Sequence, residues 1–472
     1  MKKTDRKKEI ASSAAVVLLF LLLLGLTYFL FYLRNLTNRD DGVPFDLAML
    51  TADRDADMTD ISQYLLPEFI GITAEDGRWG LSGSVNTVDE IYRTLSPVIS
   101  ETMQQRYLMP SDSEKWDTCA ESAGSVYIKY HSTLPDNVIA LFADASSDSE
   151  IAPERGQVST YVREMFILPC SGSDSRIEIA VKDTDGNVFL YRKTYPMNML
   201  TSEDLSEIVS SYRSAMTDFM FAGDHFDTAS STEPVFTDSL FTRNIIITGH
   251  TAMLIWNSEK ELDGLMRVFG INPDKLLNTH ITDDEDEGKY IDTHGVLYVG
   301  ESKFEYTATT DGGVDLSDII GYTDTISLRE YIRAAISIYE DIRGINIYFT
   351  GRDADLAISN IYSDSSSLTL EFSYYFDNLK ITGIEPALVV SFSKDRLIYA
   401  KMYTVAARSL GDRTESLTEW WYLGRLAKNG VTPINTSLVY RSDFLSESIK
   451  AEWAASTRTH NSDSIITEDG RR

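Results

Sequence analysis

The hydrophobic pattern of this chain changes period several times, and its longest apolar stretch comes first. Ala11 to Leu33 carries no charge and is built mainly from Leu, Val, Phe and Ala. As a helix rising about 1.5 Å per residue it reaches roughly 34 Å, enough to cross a hydrocarbon core of about 30 Å. The pattern predicts a single transmembrane helix over 11–33. Lys2, Lys3, Arg6, Lys7 and Lys8 precede it against Asp5 and Glu9. By the positive-inside rule that bias places residues 1–10 in the cytoplasm and the C-terminal bulk outside the plasma membrane. The run ends in Tyr28, Phe29, Phe31 and Tyr32. These aromatics suit an interfacial belt rather than a signal-peptidase site, so the segment reads as an uncleaved anchor.

Beyond the anchor, residues 34–60 are polar and aperiodic, with Asp40, Asp41, Asp53, Asp55, Asp57 and Asp60, and read as a juxtamembrane linker. A first exported α+β domain is expected over 61–226. In it Ile91, Leu95, Val98, Ile99 and Met103 recur at helical intervals after a Thr87/Glu90 capping box, predicting a helix from Val88 to about Arg106, with Pro97 as a possible kink. Ile177, Ile179 and Val181 alternate with polar or small residues, and Asp185-Gly186 leads into Val188, Leu190 and Arg192, predicting a hairpin. Ser202 to about Phe221 reads as a second amphipathic helix.

The stretch Asp227–Glu233, AspThrAlaSerSerThrGlu, reads as a boundary before a middle α+β domain over 232–320. Ser258 and Glu261 form a capping box, and Leu262, Leu265, Met266 and Phe269 mark one helix face before Gly270. Strands are expected at Val296–Val299 and Phe304–Ala308, with a turn at Asp311-Gly312-Gly313. A C-terminal α+β domain over 325–455 opens with a helix from Leu328 to Arg343, whose Ile332, Ala335, Ile336 and Tyr339 share a face. Strands follow at Ile345–Phe349, Leu368–Phe376, Leu388–Phe392 and Leu397–Tyr403, then a helix over Thr418–Leu426. Residues 456–472 are polar and read as a disordered tail. The fold class these elements predict is α+β: one N-terminal transmembrane helix followed by a multidomain extracytoplasmic region of helices and short antiparallel sheets.

Charge narrows the partners. The chain carries a net charge of -29, and its first ten residues are net positive by three, leaving -32 beyond them. So acidic an exterior argues against nucleic acid as a partner. With 43% hydrophobic residues the exported part can build true cores. Cys119 and Cys170, the two cysteines, allow one bridge but no disulfide framework, and spacing alone leaves their pairing open.

Motifs for catalysis are sparse. The six histidines are scattered and form no His-Glu-x-x-His pair. His280 precedes the acids of Asp283–Glu287, which invites a metal site, but a solvated acidic loop is the plainer reading. Ser391-Phe-Ser-Lys394 matches Ser-x-x-Lys, yet its serine closes an expected strand instead of opening a helix, and no Lys-Thr-Gly accompanies it. Trp79, Trp420 and Trp421 could stack on sugars, although burial is the commoner fate of such residues. No cofactor or metal is expected, and a catalytic carboxylate pair has no assignable members. In the anchor, Ala11, Ser12, Ala14, Ala15 and Gly25 are candidate contacts to another membrane helix, because small side chains let backbones approach.

Several segments together resemble a known family. Leu265-Met-Arg-Val-Phe269, Asn272-Pro-Asp-Lys275, Gly295-Val-Leu-Tyr298 and Phe304-Glu-Tyr306 look like the middle of YycH proteins. Leu370–Ile381, Ala387–Phe392 and Leu397–Tyr403 are similar to the final strands of that family, an arrangement YycI proteins share. The resemblance implies a non-enzymatic accessory regulator of a WalK-like sensor histidine kinase in a Gram-positive bacterium, coupled to cell-wall metabolism. It implies the kinase's transmembrane region and a YycI-like sister regulator as partners. A membrane-anchored wall-acting enzyme and a ligand-binding ectodomain are the alternatives.

Overall fold

The computed structural model describes residues 61–467 except 82–84, 105–108, 112, 144–159, 171–174, 196–199, 227–232, 250–258, 282–287, 301–302, 311, 322–325, 346–353, 365, 385, 432, 434, 443–447 and 460–461. The chain between Leu47 and Arg472, apart from Asp364–Ser366, forms one unit.

Nine strands make the first sheet: β1 (Pro67–Ala74), β2 (Gly77–Leu81), β3 (Met109–Ser111), β4 (Val126–Pro135), β5 (Tyr161–Leu168), β6 (Arg176–Lys182), β7 (Val188–Thr194), β8 (Thr217–Phe221) and β9 (Pro234–Phe236). Their order is β3-β7-β6-β5-β4-β1-β2-β8-β9. β6 sits inside the sheet with Ile177 to Val181 all buried. Ile177, Ile179 and Val181 of β6 are fully buried, and Asp183 closes the β6–β7 turn by accepting the N–H groups of Asp185 and Asn187. Gly186 there has a φ of 86°, the left-handed conformation that a hairpin turn asks of glycine. The helix Val85–Met103 buries Val88, Ile91, Leu95, Val98 and Ile99, leaving Pro97 on its exposed side.

The later strands are β10 (Phe241–Gly249), β11 (Asn278–Ile281), β12 (Gly288–Ile291), β13 (Gly295–Val299), β14 (Lys303–Ala308), β15 (Val314–Asp315), β16 (Asp355–Ser363) and β17 (Leu368–Phe376). After them come β18 (Leu379–Thr382), β19 (Leu388–Ser393), β20 (Arg396–Tyr403), β21 (Val405–Glu415), β22 (Asn435–Arg441), β23 (Ala451–Thr459) and β24 (Ser462–Thr467). Thirteen of them form a second sheet, ordered β11-β12-β13-β14-β20-β19-β17-β18-β22-β23-β24, with β15 on β20 and β16 on β17. Among the described residues β18–β22 is its one parallel pair. Asp377 and Asn378, with φ of 48° and 62°, make the two-residue turn between β17 and β18. β10 and β21 form a separate two-stranded ribbon. The helix Leu328–Ile345 lies under this half with Arg329, Glu330 and Arg333 buried alongside its apolar face, and Glu330 accepts the Ser327 N–H at 2.8 Å in the manner of a capping box.

The two sheets meet in a polar and apolar joint. Asn378 donates to the Pro67 carbonyl at 2.8 Å, the His131 ring lies 4.4 Å from that of Tyr375, and Leu66, Ala357 and Tyr375 share a core cluster.

Several expectations are corrected. The multidomain arrangement of helices and short antiparallel sheets gives way to two wide sheets that cross the expected boundaries. β9 follows residue 226 yet joins the first sheet, and β14 from the middle range pairs with β20 from the C-terminal range. Among the described residues no helix is long and apolar enough to cross a membrane. The segment 11–33 and its residues Ala11, Ser12, Ala14, Ala15 and Gly25, together with the linker 34–60, lie outside the described residues. The helix expected over Ser202–Phe221 stops at Tyr212, and Thr217–Phe221 is strand, its Phe219 and Phe221 buried on alternate positions. Ile345 ends a helix and does not open a strand. Residues expected to be a disordered tail contribute the β23–β24 hairpin, in which Thr457 and Thr459 pair with Ser464 and Ser462. Thr87 stands inside its helix, which starts at Val85, and so is not its N-cap. Cys119 and Cys170 are both free and buried.

Candidate functional site

Where β1, β4 and β5 of the first sheet meet β22 of the second, six charged or ionisable side chains converge. Lys129 on β4 is 2% exposed and uses its ammonium three ways: to Glu233 Oε1 at 2.6 Å, to Glu68 Oε1 at 3.3 Å and to the Thr436 carbonyl at 3.0 Å. Arg163 Nη2 reaches the second Glu68 oxygen at 3.1 Å, and the Ser437 hydroxyl donates to Glu68 Oε1 at 2.6 Å. Glu233 also accepts the Thr436 N–H at 3.0 Å. Its Oε2 is buried and has no hydrogen-bond partner among the described residues.

Glu419 completes the cluster. It is 2% exposed, its Oε2 accepts the Phe236 N–H at 3.1 Å, and the Thr436 hydroxyl lies 2.5 Å from its Oε1. Period explains how these residues come to face each other. Thr436 points inward from β22 between half-exposed Asn435 and Ser437, whereas Glu419 occupies the first turn of the helix Glu419–Lys428, capped by Thr418 on the Trp421 N–H.

The environment sets the charges. Burial alone would raise Glu68, but Lys129 and Arg163 outweigh it and hold the carboxyl at about 2. Burial pushes Glu419 up to about 8, opposed by its hydrogen bonds to Thr436 and Phe236 and by the Lys129 charge, and reinforced by the Glu233 charge. Burial pushes His131 down to about 4, so its ring is neutral where it meets Asn378 Oδ1 at 3.2 Å. Glu68, Lys129, His131, Glu419 and Thr436 line a cavity of about 20 Å³, room for a single water. The cluster can therefore bind the two sheets together and store a proton; it has no space for a substrate.

The exposed residues that flank Glu419 along the chain and on the adjoining ribbon are apolar and basic. Phe241 is 67% exposed at the start of β10, opposite Glu415 of β21, and Leu410, Leu417, Trp420 and Trp421 are exposed along β21 and its exit into the helix. Trp421 is half exposed beneath the Arg425 guanidinium, while Trp420 packs edge-on against Phe226 at 4.5 Å and beside His225. Trp453 Nε1 holds the Leu417 carbonyl at 2.7 Å. Segments Phe241–Gly249 and Val405–Val431 contain five basic residues and three acidic ones, of which Glu419 is buried, on a chain of net charge -29. These segments are net basic on an acidic protein.

The residues singled out from sequence fare unevenly. Ser391 lies in β19 bonded to Thr369 at 2.8 Å, and Lys394 is in a turn, so the Ser-x-x-Lys match forms no nucleophile. His280 falls in β11, the acids 283–287 lie outside the described residues, and among the described residues no group of three metal-ligating side chains exists. Trp79 is half-buried under Arg213, but Trp420 and Trp421 reverse the expectation of burial. Lys129, Glu233, Glu419 and Thr436 carried no sequence signal, apart from the Thr-Glu start of the last helix. No family model matches the chain, and no curated protein matches it.

Proposed function

We propose that this chain is a membrane-anchored accessory regulator that acts by protein contact on a sensor histidine kinase, with a YycI-like sister regulator as second partner and with its bulk outside the cell. The observation that carries the reading is the exposed Leu417, Trp420 and Trp421 ridge at the start of the Glu419–Lys428 helix, with the Arg425 guanidinium over the Trp421 ring. Aromatic, leucine and arginine side chains over a rigid base are the composition of interaction hot spots, and a basic ridge on an acidic chain selects an acidic partner face. The resemblance over roughly 227–403 and the N-terminal run supports the kinase as the partner, and the apolar run 11–33 supports the anchor. Full-length protein in nanodiscs, titrated with the kinase in nanodiscs, tests it. Trp421→Ala is expected to weaken binding by on the order of 2 kcal/mol, about thirtyfold. Equal affinity of wild type and the Trp421→Ala, Leu417→Ala double variant would exclude the ridge as the contact.

A further inference from the structure

We infer that Glu419 is a proton-operated latch: protonated, it pins the first turn of the Glu419–Lys428 helix and keeps Trp420 and Trp421 seated; ionised, it lets that turn go. The inference rests on the reading of the ridge as a docking surface and names how that surface is regulated.

Hydrogen-bond directions carry the argument. Oε2 of Glu419 accepts from the Phe236 N–H, so a proton on this carboxyl belongs on Oε1, facing the Thr436 oxygen at 2.5 Å. Thr436 then has its own hydrogen free for Glu233 Oε1, 3.4 Å away, and the chain Glu419–Thr436–Glu233 closes with every hydrogen placed. With Glu419 ionised, the one Thr436 hydroxyl hydrogen faces two buried carboxylates; Glu233 still holds Lys129 and the Thr436 N–H, whereas Glu419 has only that hydroxyl and the Phe236 N–H.

Among the described residues no cation pairs directly with Glu419, and the Lys129 charge eases its ionisation only from a distance. Lys129 donates to Glu233 and to the Thr436 carbonyl and pairs with Glu68 at 3.3 Å, so its close partners are other groups. From β1 the group present is Glu68, and from β5 Arg163, engaged with Glu68, and Glu164, another acid. From β4 comes His131, neutral in its buried place, and from β23 only the Trp453 ring. Arg425 and Lys428 lie further along the same helix and are exposed. A buried carboxylate with no directly paired cation is costly, and burial pushes Glu419 up to about 8 against the opposing pull of Lys129 and its two hydrogen bonds. The leverage is short: Glu419 is preceded by the cap Thr418 and by Leu417, whose carbonyl Trp453 holds, and is followed by the two exposed tryptophans.

The test is ¹⁹F NMR of the full-length protein in nanodiscs, labelled with 5-fluorotryptophan and assigned with Trp420→Phe and Trp421→Phe. The Trp420 and Trp421 resonances are expected to titrate with a midpoint near pH 8, while buried Trp116 stays fixed, and the titration is expected to vanish in Glu419→Gln, which keeps both hydrogen bonds as a protonated carboxyl does. His225 lies against Trp420 in both proteins, so the readout is the difference between them. Thr436→Val provides a second variant: it removes the donor to the carboxylate and should move the midpoint upward. An unchanged titration in Glu419→Gln, or an unmoved midpoint in Thr436→Val, overturns the latch. If the protonated form alone docks, kinase affinity falls about tenfold from pH 7 to pH 9 in wild type and not in Glu419→Gln. Binding absent at both pH values would overturn the docking reading, while the fluorine titration decides the latch by itself.

Discussion

Lys129→Met probes the joint between the sheets most sharply. The lysine is 2% exposed; its two hydrogen bonds tie β4 to Glu233 ahead of β9 and to the β22 backbone, and an ion pair ties it to Glu68 of β1. Methionine fills a similar volume, so cavity formation contributes little and the loss is electrostatic. Glu68 retains Arg163 and Ser437, but Glu233, 3% exposed, keeps only Thr436. Removing one partner of a buried pair costs about 3–5 kcal/mol, because the other charge remains in a medium that cannot solvate it. Denaturant unfolding of the full-length protein should show a fall in midpoint of that size at unchanged slope. Adding Glu233→Met should recover most of the loss, since a well-packed apolar pair can replace a buried ion pair at little cost. A Lys129→Met variant within about 1 kcal/mol of wild type, or a double variant worse than the single one, would refute the assignment of Lys129 as the counter-ion of Glu233.

Two further outcomes are expected. Gly383 has a φ of +92°, and a Cβ there would lie 2.2 Å from the Ser442 carbonyl, so Gly383→Ala should destabilise by on the order of 3 kcal/mol, read as a lower midpoint in the same unfolding assay. Stability should also peak at mildly acidic pH: Glu68, held at about 2 against an ordinary 4.5, contributes above pH 4.5 and is lost as pH falls through 2, whereas Glu419, raised from 4.5 to about 8, contributes fully below 4.5 and is lost as pH rises through 8. Melting temperatures across pH 3 to 9 should show Glu68→Gln flattening the acid limb and Glu419→Gln the alkaline one.

Local structure was readable wherever period and turn chemistry agreed. The β6–β7 hairpin combines strict alternation with Asp185-Gly186, and the Leu328–Ile345 helix keeps its apolar face over several turns, so both were legible. Thr217–Phe221 was misread because a short aromatic run directly after a true helix satisfies either period. The β23–β24 hairpin was missed because Ser and Thr resemble a solvated tail, while their pairing supplies its backbone hydrogen bonds. Sheet assembly was illegible for another reason: β9 and β14 join partners across composition breaks that look like domain borders, and long-range pairing leaves no local mark. The same holds for the cluster, where Lys129 and Glu233 are 104 residues apart and Glu233 and Thr436 are 203 apart. Trp420 and Trp421 were visible as residues, but their exposure depends on Glu419 turning inward beside them.

The account stands on the ridge being a face that meets another protein. A photo-crosslinking amino acid placed at 421 or 417 of the full-length protein in its own membrane, with 161 on β5 as an equally exposed control, asks the question directly; Tyr161 is 40% exposed. Crosslinks to a histidine kinase from 417 and 421 and none from 161 are the predicted result, and crosslinks from 161 alone, or none from the ridge, would contradict it.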